Sequence, residues 1–341
     1  MYDIVIVGGG VGGAATAYEL SKERGLRICL LYRKAADGSS FTNQKWKHSG
    51  LLFEQENMAR LLWQSYWATQ GTIYDEFVVG ERRGWFLSAN SAILAKRVRL
   101  WKEWGLSDTR SEPVDGFAAC ETPDCAIDYP ALVAALLRES AANGVDVVSD
   151  AEFERLRLGS DGVTGVDFRK SGQRHSVSCR WCVLACGVRA KAILEAMGLP
   201  TQLQLLRSTI VRLEGRIVDR VTVFLGEPGV VPMLNLVPFG YSTLISDTSY
   251  QLTQDVDDRS PDDAAVAAML ANLAELFPLK ELPRYEAWGC HKVRLTSDLL
   301  NDYPYVTEPS IKGLLAVDPL KASLMYAFAS KVKEAIIGAQ R

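Results

Sequence analysis

The sequence has no dense run of lysine and arginine. Its 38 basic residues are scattered among 41 acidic ones and leave a net charge of −3. Without a basic stripe there is no footprint for a phosphate backbone, so nucleic acid is not an expected partner. Long apolar runs are missing too. Stretches such as residues 131–137 fall far short of the ~20 residues that a spanning helix needs, so no transmembrane segment is expected, while attachment to a membrane surface stays open. The first seven residues lead straight into glycines without the basic, apolar and cleavage segments of an export signal, and a cytoplasmic location is expected. Cysteine is odd in number, seven in all, and stands mostly in apolar strand-like runs, which favours reduced thiols over a disulfide framework. Cys179 and Cys182 form a C-x-x-C with Cys186 close behind, but a structural zinc wants four ligands and residues 181–185 read as a buried strand. No metal site is expected.

What is present is the composition of an ordinary globular enzyme, 48% hydrophobic and 23% charged over 341 residues. That length suits two domains, or one large α/β domain carrying an inserted sheet. Residues 3–7 are a β-branched apolar run, a glycine loop follows, residues 14–23 read as a helix and residues 27–32 as a second buried strand. This is a β-α-β unit of about thirty residues, the length of a parallel pair joined by a right-handed crossover. Leu61, Leu62, Tyr66 and Trp67 fall at helical spacing and are expected to face the core, with a wall of the substrate site as the other reading. A short hairpin is expected at residues 84–87 and a helix over 92–104. Residues 129–143 form a helix with Asp128 as N-cap, Pro130 in the first turn and Asn143-Gly144 as the stop. A strand at 145–148, a hairpin turning at Asp161-Gly162 and a strand at 181–185 come next. Alternating runs at 208–213, 221–225 and 241–246 read as an antiparallel sheet, which a parallel nucleotide domain does not itself require. A helix over 260–277, a strand at 313–317 and a helix over 324–337 complete the chain. The expected fold class is α/β, a Rossmann-like dinucleotide-binding domain with a mainly parallel sheet and an inserted antiparallel-sheet (α+β) substrate domain. The first is assigned residues 1–78, 126–205 and 295–341, the second 79–125 and 206–294.

Gly8, Gly10 and Gly13, with Val11 and Gly12 between, spell G-x-G-x-x-G directly after an apolar strand and at a helix start. In that setting the first glycine permits the tight turn, the second lets a pyrophosphate approach the backbone, the third lets helix and strand pack closely, and the helix N-terminus attracts the anion. An ADP-containing dinucleotide is expected there. The acidic residue that usually takes the ribose hydroxyls at the end of the second strand is replaced by Tyr32-Arg33-Lys34. Either Tyr32 or the backbone handles the ribose, or Arg33 and Lys34 meet the extra phosphate of NADP.

Further along stand Gly38-Ser39-Ser40, Lys45-Trp46-Lys47-His48-Ser49-Gly50-Leu51, Ile127-Asp128-Tyr129-Pro130-Ala131-Leu132, Val183-Leu184-Ala185-Cys186-Gly187 and Asp302-Tyr303-Pro304. With these segments the chain resembles, over most of its length, the D-amino-acid-oxidase-like superfamily of flavoenzymes, which includes glycine and sarcosine oxidases and glycerol-3-phosphate and 2-hydroxyglutarate dehydrogenases. The resemblance implies FAD as the cofactor. It implies that Ser39 and Ser40 reach the pyrophosphate and that Lys45, His48, Ser49 and Gly50 lie along the flavin ring. It further implies that the backbone of Phe153 meets the adenine and that Ala185, Cys186 and Gly187 form a second flavin fingerprint. Near the C-terminus the sequence departs from the pattern. The family's glycine-rich flavin loop is replaced by Asp318-Pro319-Leu320-Lys321-Ala322-Ser323, and its arginine before Asp-Tyr-Pro by Cys290-His291-Lys292.

Hydride transfer to a flavin needs a base for the substrate proton and positive charge near the pyrimidine edge. Lys321 is the candidate for that charge, with Ala322 and Ser323 beside it, and a solvated lysine is the plain alternative. His48 is a candidate base or covalent attachment point, against a histidine that only packs beneath the cofactor. His291 and Lys292, close to Arg294, are candidates for holding a substrate carboxylate or phosphate, against ordinary strand-end charge. Arg207 reads as structural. The expected activity is FAD-dependent oxidation of a CH–NH or CH–OH bond of a small polar molecule, with oxygen or another electron acceptor. An NADP-dependent reductase and a catalytically altered FAD-binding protein are the alternatives.

Overall fold

The computed structural model describes residues 1–33, 38–106, 109–226, 233–295 and 304–339. The aliphatic run Tyr2–Val7 is the centre of a parallel sheet. It pairs with Ile28–Leu31 on one side and with the last half of Gln173–Leu184 on the other. Asp146–Val148 and Leu314–Asp318 extend the sheet in parallel, and Tyr305–Thr307 closes one edge antiparallel. The helix Val11–Ser21 lies against one face beside Tyr129–Ala142 and Met325–Gly338, around Leu20, Leu132 and Phe328. Each such fully buried side chain contributes about 1.5–3 kcal/mol. Asp128 caps the second of these helices by accepting from Ala131 N at 3.0 Å, a contact worth ~1 kcal/mol. The opposite face carries the antiparallel ribbon Ala151–Gly159, Gly162–Lys170 and Gln173–Leu184, which turns at Asp161-Gly162.

A second, nine-stranded sheet is built on Leu203–Glu214, which pairs antiparallel with Tyr285–Leu295 from Leu203↔Leu295 to Leu213↔Tyr285. Ser242–Ser246, Leu234–Phe239 and Thr222–Phe224 follow in order across it. The helix Asp263–Leu276 seals it with Val266, Met269, Leu270 and Leu273. Among the described residues no helix is long and apolar enough to cross a membrane.

The structure differs from the sequence expectation in instructive places. Gly84–Ser88 is not half of a local hairpin. It pairs antiparallel with Ala118–Thr122, beyond the helix Ser91–Glu103, and parallel with Thr222–Phe224. Gly84 is there for close approach, since a Cβ would lie 2.7 Å from Val221 O and 2.9 Å from Asp124 O. In the helix Glu56–Ala68 the buried stripe runs through Met58, Ala59, Leu62, Ser65 and Tyr66, so Trp67, expected inside, is 41% exposed. All seven cysteines are unpaired, and the C-x-x-C lies within a single strand. Asp302 and Tyr303, like Lys34, lie outside the described residues.

Candidate active site

The carboxyl ends of the parallel strands open onto one cavity of about 1020 Å³, closed from above by the antiparallel sheet. This is the edge at which open α/β sheets bind their ligands, and the volume is at the upper end for small-molecule and cofactor sites. The glycine loop forms its floor. Gly8 has φ 122°, and a side chain there would strike Ala185 O at 2.2 Å; one on Gly13 would strike Gly8 O at 1.8 Å. The loop therefore presents backbone to the cavity at the N-terminus of Val11–Ser21, where the helix dipole favours an anion. Ser40 Oγ accepts from Val11 N at 3.0 Å, tying residues 39–42 to the start of that helix.

Most of the residues singled out in the sequence line this cavity: Gly8, Gly10, Val11, Gly12, Tyr32, Arg33, Ser39, Ser40, His48, Phe153, Ala185, Cys186, Gly187, His291, Lys292, Lys321, Ala322 and Ser323. The strand carrying Phe153 is tied to the end of Ile28–Leu31 where Ala151 N donates to Tyr32 O at 2.9 Å. Gly13, Lys45, Ser49 and Gly50 do not line it; each is turned into the wall. Lys45 sends its ammonium back to Phe41 O at 2.8 Å and Ser40 O at 3.4 Å. Ser49 donates to the buried Asp124 from both Oγ (2.6 Å) and backbone N (3.0 Å). Gly50 abuts Ala59 O, which a Cβ would meet at 2.4 Å. Lys47 also points away and pairs with Asp75 at 2.7 Å.

At the end of the cavity away from Phe153, the segment 46–48 is held from behind. Asp124 accepts from Trp46 Nε1 at 2.9 Å, and Tyr129 OH donates to Trp46 O at 3.1 Å. His48 N donates to Ser323 Oγ at 2.9 Å, which couples this segment to the loop carrying Lys321. The His48 ring lies over Trp46, with centroids 3.8 Å apart, and 6.0 Å from Phe53. Its Nδ1 is enclosed and has no hydrogen-bond partner among the described residues. Burial, then Lys321 and Lys292, hold its pKa well below the usual histidine value, so the ring is neutral. Burial, reinforced by Lys292, lowers Lys321 to about 8. The Lys321 ammonium lies 5.3 Å from the Phe53 ring centroid. Among the described residues neither Lys321 nor Lys292 has an acidic partner.

The other basic residues nearby are already engaged. Arg294 holds Gln204 Oε1 at 3.0 Å and Tyr250 OH at 2.7 Å, and Arg207 pairs with Asp258 and Gln251. His291 is fully buried; burial and then Arg259 lower its pKa, with the Asp255 backbone opposing. Three wall residues were given no role from the sequence. Asp318 ends the strand Leu314–Asp318, and burial pushes its carboxyl up to about 6. Asn235 hydrogen-bonds Ser246 Oγ at 3.4 Å, and Ser246 in turn donates to Gln44 Oε1 at 2.8 Å. Asp318 was legible as a departure from a glycine-rich loop, whereas nothing local marks Asn235 or Gln44.

A family model described as FAD dependent oxidoreductase matches residues 3–322. Among solved structures, the chain is similar to glycine oxidase from Geobacillus kaustophilus, with a TM-score of 0.80, 19% identity and coverage of 99% of this chain and 95% of that one. L-proline dehydrogenase from P. horikoshii gives 0.79, 16%, 99% and 94%. Glycerol-3-phosphate dehydrogenase from Bacillus halodurans, complexed with FAD, gives 0.70 and 17% over all of this chain and 65% of its own. At these identities the likeness is one of fold. No match was found among curated proteins.

Proposed function

The chain belongs to the FAD dependent oxidoreductase family, and from that premise we propose that it oxidises a CH–NH or CH–OH bond of a small polar substrate bearing a carboxylate or phosphate. The site's own features fit FAD: a backbone floor at a helix N-terminus, a cavity of about 1020 Å³, and half-buried cations at its far end. In this reading Gly8, Gly10 and Val11 cradle the diphosphate, Phe153 marks the adenine end, and His48 with Lys321 marks the isoalloxazine end. Bound there, FAD supplies the hydride acceptor.

The observation that carries the reading is the pair of lysines, Lys321 and Lys292, near enough to depress Lys321 yet unmatched by any acid among the described residues. A half-buried ammonium without a counter-ion is a binding site for an anion. With FAD bound, Lys321 would offset negative charge on the reduced flavin, and Lys292 would take the anionic handle of the substrate. His48 is the base. With Nδ1 enclosed, Nε2 is the nitrogen left to receive the hydroxyl or amine proton. An anion bound at Lys292 offsets one of the two positive charges that depress His48, so the base strengthens when substrate arrives. His291 lines the same cavity but is fully buried, and is assigned no contact with substrate. The unpaired cysteines support a reducing compartment such as the cytoplasm.

The test is anaerobic flavin bleaching across amino acids, N-methyl amines, 2-hydroxy acids and glycerol phosphate. Anionic members of one class should reduce the flavin, and their neutral esters should not. Bleaching by esters and acids alike would remove the anion-binding role, and bleaching by none would favour an FAD-binding protein with altered chemistry.

A further inference from the structure

Asp318 closes its strand where the chain turns through Pro319 into Leu320. It is 7% exposed and lines the cavity. One oxygen, Oδ1, accepts from Leu320 N at 2.6 Å. That contact holds a turn in which Leu320 sits at φ 58°, a left-handed conformation that costs a branched residue about 1–2 kcal/mol. The other oxygen, Oδ2, has no hydrogen-bond partner among the described residues. It lies 3.9 Å from where a side-chain carbon would stand on Gly187. Burial raises the carboxyl to about 6, with only the Leu320 amide opposing, as befits an acid short of donors.

Such a group in a cofactor wall rejects phosphate by like charge, so what it meets must carry a donor and no negative charge. The diphosphate belongs at the glycine loop and the ring system at His48 and Lys321. Asp318 lies between them, three residues before Lys321 and beside Pro319, whose Cδ is 3.0 Å from where a Cβ on Gly12 would stand. The stretch of FAD between diphosphate and ring is the ribityl chain, a run of hydroxyls. We propose that Oδ2 of Asp318 hydrogen-bonds one ribityl hydroxyl of FAD and so grips the cofactor at its middle. A hydroxyl suits either form of the acid, donating to the carboxylate or accepting from the carboxylic acid. The proposal rests on the orientation of FAD given above.

The test uses the full chain produced in a riboflavin-auxotrophic host and titrated with FAD and with three FAD analogues, each lacking one ribityl hydroxyl. Asp318→Ala should raise the Kd for FAD about tenfold to a hundredfold, the range of a hydrogen bond to a charged group. One of the three analogues should bind the native protein weakly by a similar factor and lose nothing more in the variant. Asp318→Asn, which keeps an oxygen for the Leu320 amide, should show the same pattern with a smaller loss, and decides the matter should the alanine variant not fold. Unchanged FAD affinity in the variant, or equal sensitivity of native and variant proteins to all three analogues, overturns the proposal. Failure of the native chain to bind FAD at all would instead overturn the cofactor reading.

Discussion

Replacing Lys321 by methionine should stabilise the flavin-free protein and impair the flavin-bound one. The ammonium is drawn from the ordinary lysine value of 10.5 to about 8 by burial and by Lys292. At 1.36 kcal/mol per unit, the charged form is held about 3 kcal/mol above its level in water. Because the folded pKa lies below the unfolded one, the unfolded chain binds more protons between about pH 8 and pH 10.5. Stability therefore rises with pH across that window, and the cost of the charge is felt in full below it. Methionine removes that cost and also the contact with the Phe53 ring, worth about 1 kcal/mol, leaving a net gain of about 2 kcal/mol at pH 7. With ~2.1 cal/mol/K of unfolding entropy per residue over 341 residues, that is about 3 °C in Tm. Differential scanning calorimetry of native and variant apoprotein at pH 7 and pH 10.5 reads this directly, and the gain should vanish at the higher pH. With FAD bound the sign reverses, since the variant has no cation at the pyrimidine edge and should reduce more slowly with substrate. A variant apoprotein that melts below the native one at pH 7 would refute the account of Lys321 as a strained, unmatched charge.

Gly13→Ala places a methyl 1.8 Å from Gly8 O, so the loop must move; overpacking of this kind costs ~1–3 kcal/mol or more, to be read from urea midpoints and from flavin content after purification. His48→Asn should lower the rate of anaerobic flavin reduction by about 10²–10⁴, the usual worth of a positioned base, with substrate affinity kept. In the native enzyme the acid limb of kcat/KM should fall well below the ordinary histidine range, because burial, Lys321 and Lys292 disfavour the charged ring; a limb at or above pH 6.5 would contradict it. Lys292→Met should raise KM for an anionic substrate about tenfold to a hundredfold in steady-state assays, with the flavin content of the purified protein unchanged.

The parts of this molecule legible in the sequence are those whose cause is local. A glycine pattern after an aliphatic strand, an aspartate before a helix and a period-two run each act over a few residues; Gly8–Gly13 and Asp128 stand where those causes put them, and the run at 208–213 lies inside the longer strand Leu203–Glu214. What was hidden depends on who arrives from elsewhere. Gly84 reads as a turn until Val221 and Asp124 are seen to crowd it. Tyr285–Leu295 gave no clear signal because its place is set by its long pairing with Leu203–Glu214, far away in the chain. One short motif is split in two by the same dependence on distant residues. Along residues 45–50 the backbone alternates between the cavity and the wall, and the direction of each side chain is set by distant acids. Asp75 draws Lys47 inward and Asp124 draws Ser49 inward, while His48 between them has no such partner and is left facing the cavity. A charged or polar residue in this fold thus becomes available for chemistry by being left unmatched. On that criterion Lys321, Lys292, His48 and Asp318 form a single set lining one cavity, the residues through which the proposed cofactor and substrate contacts stand or fall.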